Sequence, residues 1–168
     1  FWNCKNIEYV NIPSVKTIGS SAFRWNNIKV INMPNVEKIS NGAFNSNEIE
    51  SLDLPKLTYL GNYAFNGNTL KSVNLPELKV INEGAFISCA QLETINIPKA
   101  NEIGRQAFYG CYNLKEIYLP SVESGSKIDA TAFEASGLTD IYVPFGEDKK
   151  YYAPWGATNA TIHYNYTA

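Results

Sequence analysis

Arginine occurs only twice in these 168 residues, at Arg24 and Arg105, and histidine once, at His163. There is no basic block, and the formal net charge is −2. Electrostatic capture of nucleic acid or of an anionic lipid surface therefore has little support. Apolar residues make up 45% of the chain, yet no run approaches the ~20 residues needed to cross a bilayer. No membrane-inserting helix is expected in this stretch. The three cysteines lack zinc-motif spacing, and no phosphate loop, nucleophile elbow or paired metal-ligand motif is present. The acidic residues are scattered among lysines. Catalytic residues, cofactors and metals are all expected to be none.

The content of Ile, Leu, Val, Phe and Tyr excludes a disordered tail, and the length suits one fold-sized unit with a continuous core. A repeat organises that unit. The dipeptide Ala-Phe places phenylalanine at Phe23, Phe44, Phe65, Phe86, Phe108 and Phe133. Proline keeps the same beat at Pro13, Pro34, Pro55, Pro76, Pro98, Pro120 and Pro144. Before each proline the residues alternate apolar and polar, as in Leu70-Lys-Ser-Val73-Asn-Leu75-Pro76. Period-2 alternation predicts a short β-strand, and proline ends it because it has no N–H to continue a ladder. One repeat cannot close a core around itself, whereas stacked repeats cover one another's open sides.

A period of 20–29 residues with this strand signature is that of a leucine-rich repeat solenoid. The pattern Leu-x-x-Ile-x-Leu-Pro-x-x-Leu-x-x-Ile-Gly-x-x-Ala-Phe-x-x-Cys/Asn resembles the BspA-like (treponemal-type) leucine-rich repeats. The resemblance covers residues 1–144. It implies a mainly β, right-handed solenoid of about seven 21–25-residue repeats, with a parallel sheet, short turns or 3-10 segments, and a C-terminal cap at residues 145–168. It also implies a cell-surface or secreted protein that adheres to host or microbial surface proteins. Phe1 opens the chain in mid-pattern, so the first repeat reads as truncated and the chain as a piece of a longer protein. Exposed strand backbone around Ile7 to Ile12 would invite association, but a monomer is expected.

Within the repeat, each column has its own physical role. Three residues past each Phe lie Cys4, Asn26, Asn47, Asn68, Cys89, Cys111 and Ser136, all small and able to hydrogen-bond. They read as a buried structural ladder that satisfies backbone groups inside the coil, which leaves the cysteines as free thiols. Another column, Gly19, Ser40, Gly61, Asn82, Gly104 and Asp129, holds residues that tolerate positive φ, and left-handed turns are expected there. The alanine before each Phe allows close approach, and the Phe fills the centre.

Parallel in-register strands bring equivalent residues within about 4.8 Å, and seven such strands make a sheet about 30 Å wide. The first exposed column alternates in sign: Glu8, Lys29, Glu50, Lys71, Glu93, Lys115, then Thr139. Such alternation turns repulsion into cross-strand attraction. A second column, Asn11, Asn32, Asp53, Asn74, Asn96, Tyr118 and Tyr142, predicts an amide ladder that gives way to tyrosine. Tyr118, Tyr142, Glu116 and Asp140 thus form an aromatic and acidic patch. It reads either as a ligand-binding hot spot or as tyrosine suited to strands.

The insertion Glu123-Ser-Gly-Ser-Lys127 is expected to bulge beside that patch. Gly146 to Pro154 reads as a short helix with acids in its first turn, and Thr161 to Tyr164 as a closing strand. Two glycosylation triplets begin at Asn159 and Asn165. A non-catalytic protein-binding module is the first functional reading; a rigid structural spacer displaying another domain and an intracellular protist scaffold are the alternatives.

Overall fold

The computed structural model describes residues 1–123, 125–146 and 154–167. The chain forms seven stacked coils, each named here by its phenylalanine: Phe1, Phe23, Phe44, Phe65, Phe86, Phe108 and Phe133. Every coil contributes a front strand before its proline. These are β1 (Tyr9–Asn11), β3 (Val30–Asn32), β5 (Ser51–Asp53), β7 (Ser72–Asn74), β9 (Thr94–Asn96), β11 (Glu116–Tyr118) and β13 (Asp140–Tyr142). The segment after each proline, read from sequence only as two apolar positions, makes a second ribbon of two-residue strands in six of them. These are β2 (Thr17–Ile18), β4 (Lys38–Ile39), β6 (Tyr59–Leu60), β8 (Val80–Ile81), β10 (Glu102–Ile103) and β12 (Lys127–Ile128). All recorded pairings are parallel and join equivalent positions, such as Leu52 with Val73 and Ile117 with Ile141. The chain is therefore mainly β, a parallel solenoid, with no helix among the described residues.

The front sheet is not one continuous ladder. It divides into β1–β3, β5–β7–β9 and β11–β13–β14, where β14 (Thr161–His163) comes from the C-terminal segment. Among the described residues no pairing joins β3 to β5 or β9 to β11. The inward residues at these two breaks, Ile31 and Ile95, are only half-buried, while Leu52, Val73, Ile117 and Ile141 are buried.

The core is a column of stacked phenyl rings. Centroids from Phe1 through Phe133 lie 5.2–6.1 Å apart, and Phe44, Phe65, Phe86, Phe108 and Phe133 are fully buried. Trp155 closes the column, edge-on to Phe133 at 6.4 Å. Its carbonyl accepts from Phe133 N, the bond that Ala132 makes to Phe108 one coil earlier. The C-terminal segment thus imitates an eighth coil.

Around each phenylalanine the amides alternate in direction. In the second coil the N–H groups of Ser21, Phe23 and Trp25 donate to Asn41, Ala43 and Asn45 of the third. The intervening Ala22 and Arg24 donate three residues back within their own coil. Half the amides are thus committed to the neighbouring coil, and turns form here instead of continuous 3-10 helices.

This alternation corrects the expected left-handed column. Positive φ occurs two residues before and two after the phenylalanine, at Ser21, Gly42, Tyr63, Gly84 and Gln106, and at Trp25, Ser46, Gly67, Ser88, Gly110 and Ala135. None of Gly19, Ser40, Gly61, Asn82, Gly104 and Asp129 has it. Gly61 and Gly104 instead meet a space limit. A Cβ there would lie 2.5 Å from Asn41 N and 2.8 Å from Glu83 N. Ser126 N donates to Glu123 O, closing the insertion, and the 650 Å³ hollow it helps line holds Lys79, Lys99 and Phe145 and none of the tyrosines. The helix expected from Gly146 to Pro154 falls on 147–153, outside the described residues.

Candidate functional site

Asn47 sits buried between two coils. Its Nδ2 donates to Phe44 O and Phe23 O, and its Oδ1 accepts from Ile28 N. Asn68 repeats the set one coil on, with Phe65 O, Phe44 O and Ile49 N. Cys89 and Cys111 can offer only a thiol proton, which goes to Phe65 O and Phe86 O at 3.3 Å each.

Chain length explains the exchange of Asn for Cys. In the Asn coils the next strand-leading Leu or Ile lies five positions after Phe, as from Phe44 to Ile49; in the Cys coils it lies six positions after, as from Phe86 to Leu92. The extra residue lets Leu92 N, Leu114 N and Ile7 N fold back onto the Cys89, Cys111 and Cys4 carbonyls. A long coil satisfies its own amide, and a short one needs a side-chain oxygen from the coil above.

Mismatched junctions follow that rule. Asn26 follows a long coil, and its Oδ1 is buried without a partner. Ser136 also follows a long coil, and its Oγ is likewise unpartnered. Leu70 N, in a short coil below Cys89, lacks the acceptor that serves Ile28 and Ile49. Cys4 departs from the expected buried ladder: it lies in the first coil and is exposed. All three thiols are free. Burial pushes the Cys89 thiol up to about 12 and raises that of Cys111 as well, which makes both poor nucleophiles near neutral pH. Among the described residues no group of three or more His, Cys, Asp or Glu could hold a metal ion.

On the front face, side-chain ladders form only inside the blocks. Lys29 pairs with Glu8 at 3.3 Å and Lys71 with Glu50 at 3.0 Å. Lys115, across the second break from Glu93, turns to Tyr112 O instead. Amide bonds run from Asn32 to Asn11, from Asn74 to Asp53 and from Asn96 to Asn74, and none crosses a break.

The last block brings the predicted patch together. The Tyr118 and Tyr142 rings stack at 4.4 Å and 7°. Tyr118 donates to Glu116 Oε2 at 2.7 Å, and that hydrogen bond is the main cause raising its phenol to about 12. Sequence reasoning missed two members. His163 on β14 stacks on Tyr142 at 4.4 Å and meets Asp140 at 2.6 Å, which holds the Asp140 carboxyl below its usual range. Tyr166 lies against both tyrosines, at 5.3 and 5.6 Å. The alternating Thr161-Ile-His-Tyr segment could have signalled His163, because β14 in register with β13 sets His163 opposite Tyr142. Beside the stack, at the break between β9 and β11, opens a mainly apolar groove of about 230 Å³ lined by Ile95, Ile97, Pro98, Pro120, Tyr118 and Tyr166, with Asn96 as its amide.

The coil geometry and its columns define a leucine-rich repeat solenoid. The chain matches the BspA type leucine rich repeat region in six copies, over residues 1–102 and 37–151, and belongs to that family. Among solved structures, a leucine-rich repeat protein from Eubacterium ventriosum is 22% identical with a TM-score of 0.63, covering 82% of this chain and 45% of its own. One from Bacteroides ovatus is 19% identical over 98% of this chain and 57% of its own, with a TM-score of 0.46. A leucine rich cell surface protein from Faecalibacterium prausnitzii is 18% identical over 98% and 61%, with a TM-score of 0.38. This chain therefore spans about half the length of these proteins. No curated protein matches it.

Proposed function

We propose that this chain is a non-catalytic protein-binding module of a cell-surface or secreted protein, adhering to host or microbial surface proteins through the C-terminal front face. The observation that carries the reading is the stack of Tyr118, Tyr142 and His163 beside the apolar groove at the β9/β11 break. Tyr118 is 39% exposed. Aromatic rings around a small apolar recess are the composition of an interface hot spot, where large area is buried at little entropic cost. Glu116 and Asp140 rim the stack with negative charge. Membership of the BspA-type repeats supports the surface location and the protein partner.

The test is attachment of the isolated chain to immobilised purified matrix and cell-surface proteins. Substituting Tyr118→Ala together with Tyr142→Ala is expected to abolish saturable attachment. Undiminished attachment would remove the patch from the reading. The spacer alternative draws on one observation of its own. The patch is largely partnered from within, since Tyr118 already bonds Glu116 and Asp140 already bonds His163. Attachment to no protein in the panel would favour that spacer role.

A further inference from the structure

The turn side of the N-terminal coils carries a feature that neither packing nor the repeat requires. The column two residues after each phenylalanine has left-handed backbone, and from the third coil on it is filled by Ser46, Gly67, Ser88, Gly110 and Ala135. In the second coil the same position is Trp25, at φ 59° and 40% exposed. A bulky residue there is strained, and strain retained at an exposed position is a mark of function. Trp2, 58% exposed, lies against it at 5.7 Å, and the Arg24 guanidinium sits over the Trp25 ring, 4.5 Å from its centroid.

Arg24, whose guanidinium lies over the Trp25 ring, also lines a polar groove of about 420 Å³ spanning the second to fourth coils. Its notch exists because Gly42 has no side chain between Ser21 and Tyr63. One step on, the equivalent space at Gly84 is filled by the Tyr63 ring, which leans over to bond Glu83 at 2.5 Å. The walls are amides: Asn41, Asn45, Asn62 and Asn66, with Arg24 at the end. Asn45 is only 8% exposed, and its Nδ2 has no partner among the described residues; nor do the side chains of Asn62 and Asn66. Arg24 Nε is buried and unpartnered.

We infer that this groove binds a linear oligosaccharide, laid along the stacking direction. Asn62 and Asn66 each present a donor and an acceptor side by side, and Asn45 adds a donor, matching adjacent sugar hydroxyls. The Trp25 indole, 40% exposed, offers aromatic surface to the C–H groups of a pyranose ring at its uncovered edge. The repeat distance favours sugar over peptide. Coils here advance by 5.2–5.4 Å, judged from the rings of Phe23, Phe44 and Phe65. An extended peptide repeats a side-chain direction every ~6.6 Å and falls out of step with the amide columns, whereas one pyranose unit advances by about one coil. This site is remote in sequence from the tyrosine stack and independent of it.

The experiment uses the whole chain against an array of linear neutral and acidic glycans, with each positive sugar then titrated by tryptophan fluorescence. Saturable binding is expected, weakened at least tenfold by Trp25→Gly and likewise by Asn45→Ala with Asn66→Ala. Glycine suits the left-handed backbone, so Trp25→Gly should leave the melting temperature undiminished and keep the loss of binding interpretable. Binding to no glycan on the array, or binding indifferent to Trp25→Gly, overturns the inference. So does a library of extended peptides that saturates the fluorescence change in place of the sugars. Loss of sugar binding with retained attachment of the tyrosine face to protein would separate this site from that one.

Discussion

Two aromatic columns run through this molecule, and they differ in what covers them. The phenylalanine column, from Phe1 to Phe133, has its interior rings sealed between the ribbons and stacked at 5.2–6.1 Å. The column of Tyr118, Tyr142 and His163 stands on the front face, stacked more closely at 4.4 Å and open to solvent. The same in-register repetition makes both. The covered column holds the coils together, and the open one offers area to a partner.

The largest expected effect tests the covered column. Phe65→Ala should cost about 3–5 kcal/mol in chemical denaturation, because both neighbouring rings lose a contact and a cavity remains. A loss below 1 kcal/mol would make the two columns equivalent and break the contrast.

Asn47 and Asn26 sharpen the rule of coil length. Asn47→Cys strands Ile28 N and should cost about 1–3 kcal/mol. Asn26→Cys removes an Oδ1 that already lacks a partner, and should cost clearly less in the same denaturation series. Equal losses would mean that the short and long coils do not differ in the way described.

On the open column, Tyr142→Ala removes two stacking contacts, at about 0.5–1.5 kcal/mol for each aromatic pair. Calorimetry is expected to show a small drop in melting temperature, well below that of Phe65→Ala. Thiol labelling compares interior with edge directly. Cys4 should alkylate in the folded protein, while Cys89 and Cys111 react only on unfolding, as followed by mass spectrometry. Rapid folded-state labelling of Cys89 would contradict its burial.

The smallest effect is electrostatic. Asp140 has its folded pKa depressed, chiefly by its hydrogen bond with His163, so the stability from that depression is present above the unfolded carboxyl value of about 3.9 and is lost as pH falls through the lower folded value. His163→Ala should move the Asp140 midpoint upward in a carboxyl titration by NMR. An unmoved midpoint would place the cause elsewhere.

Much of the fold was legible because two markers, Ala-Phe and proline, keep one period. The period fixes which residues share a column, and columns of Phe, Asn and alternating charge state their own packing. The expectation of left-handed turns failed in a specific way. Glycine at Gly61 and Gly104 suggests conformational freedom, whereas a neighbouring backbone leaves no room for a Cβ there. Sequence alone does not distinguish these two uses of glycine. The tyrosine patch was half visible. Tyr118 and Tyr142 share a column one period apart, but His163 and Tyr166 join from a segment that carries no Ala-Phe marker.

The sequence by itself determined the coil, its seven-fold repetition and the identity of each column, because equal spacing along a stacked chain becomes alignment in space. Only the tertiary structure decided where the front sheet breaks, which ladders close and which stop at the gaps. Both breaks fall between coils of equal turn length, and every junction of unequal turns stays paired, so turn length does not place them. The fit of one strand on the next belongs to the junction between two coils and is written in neither of them alone.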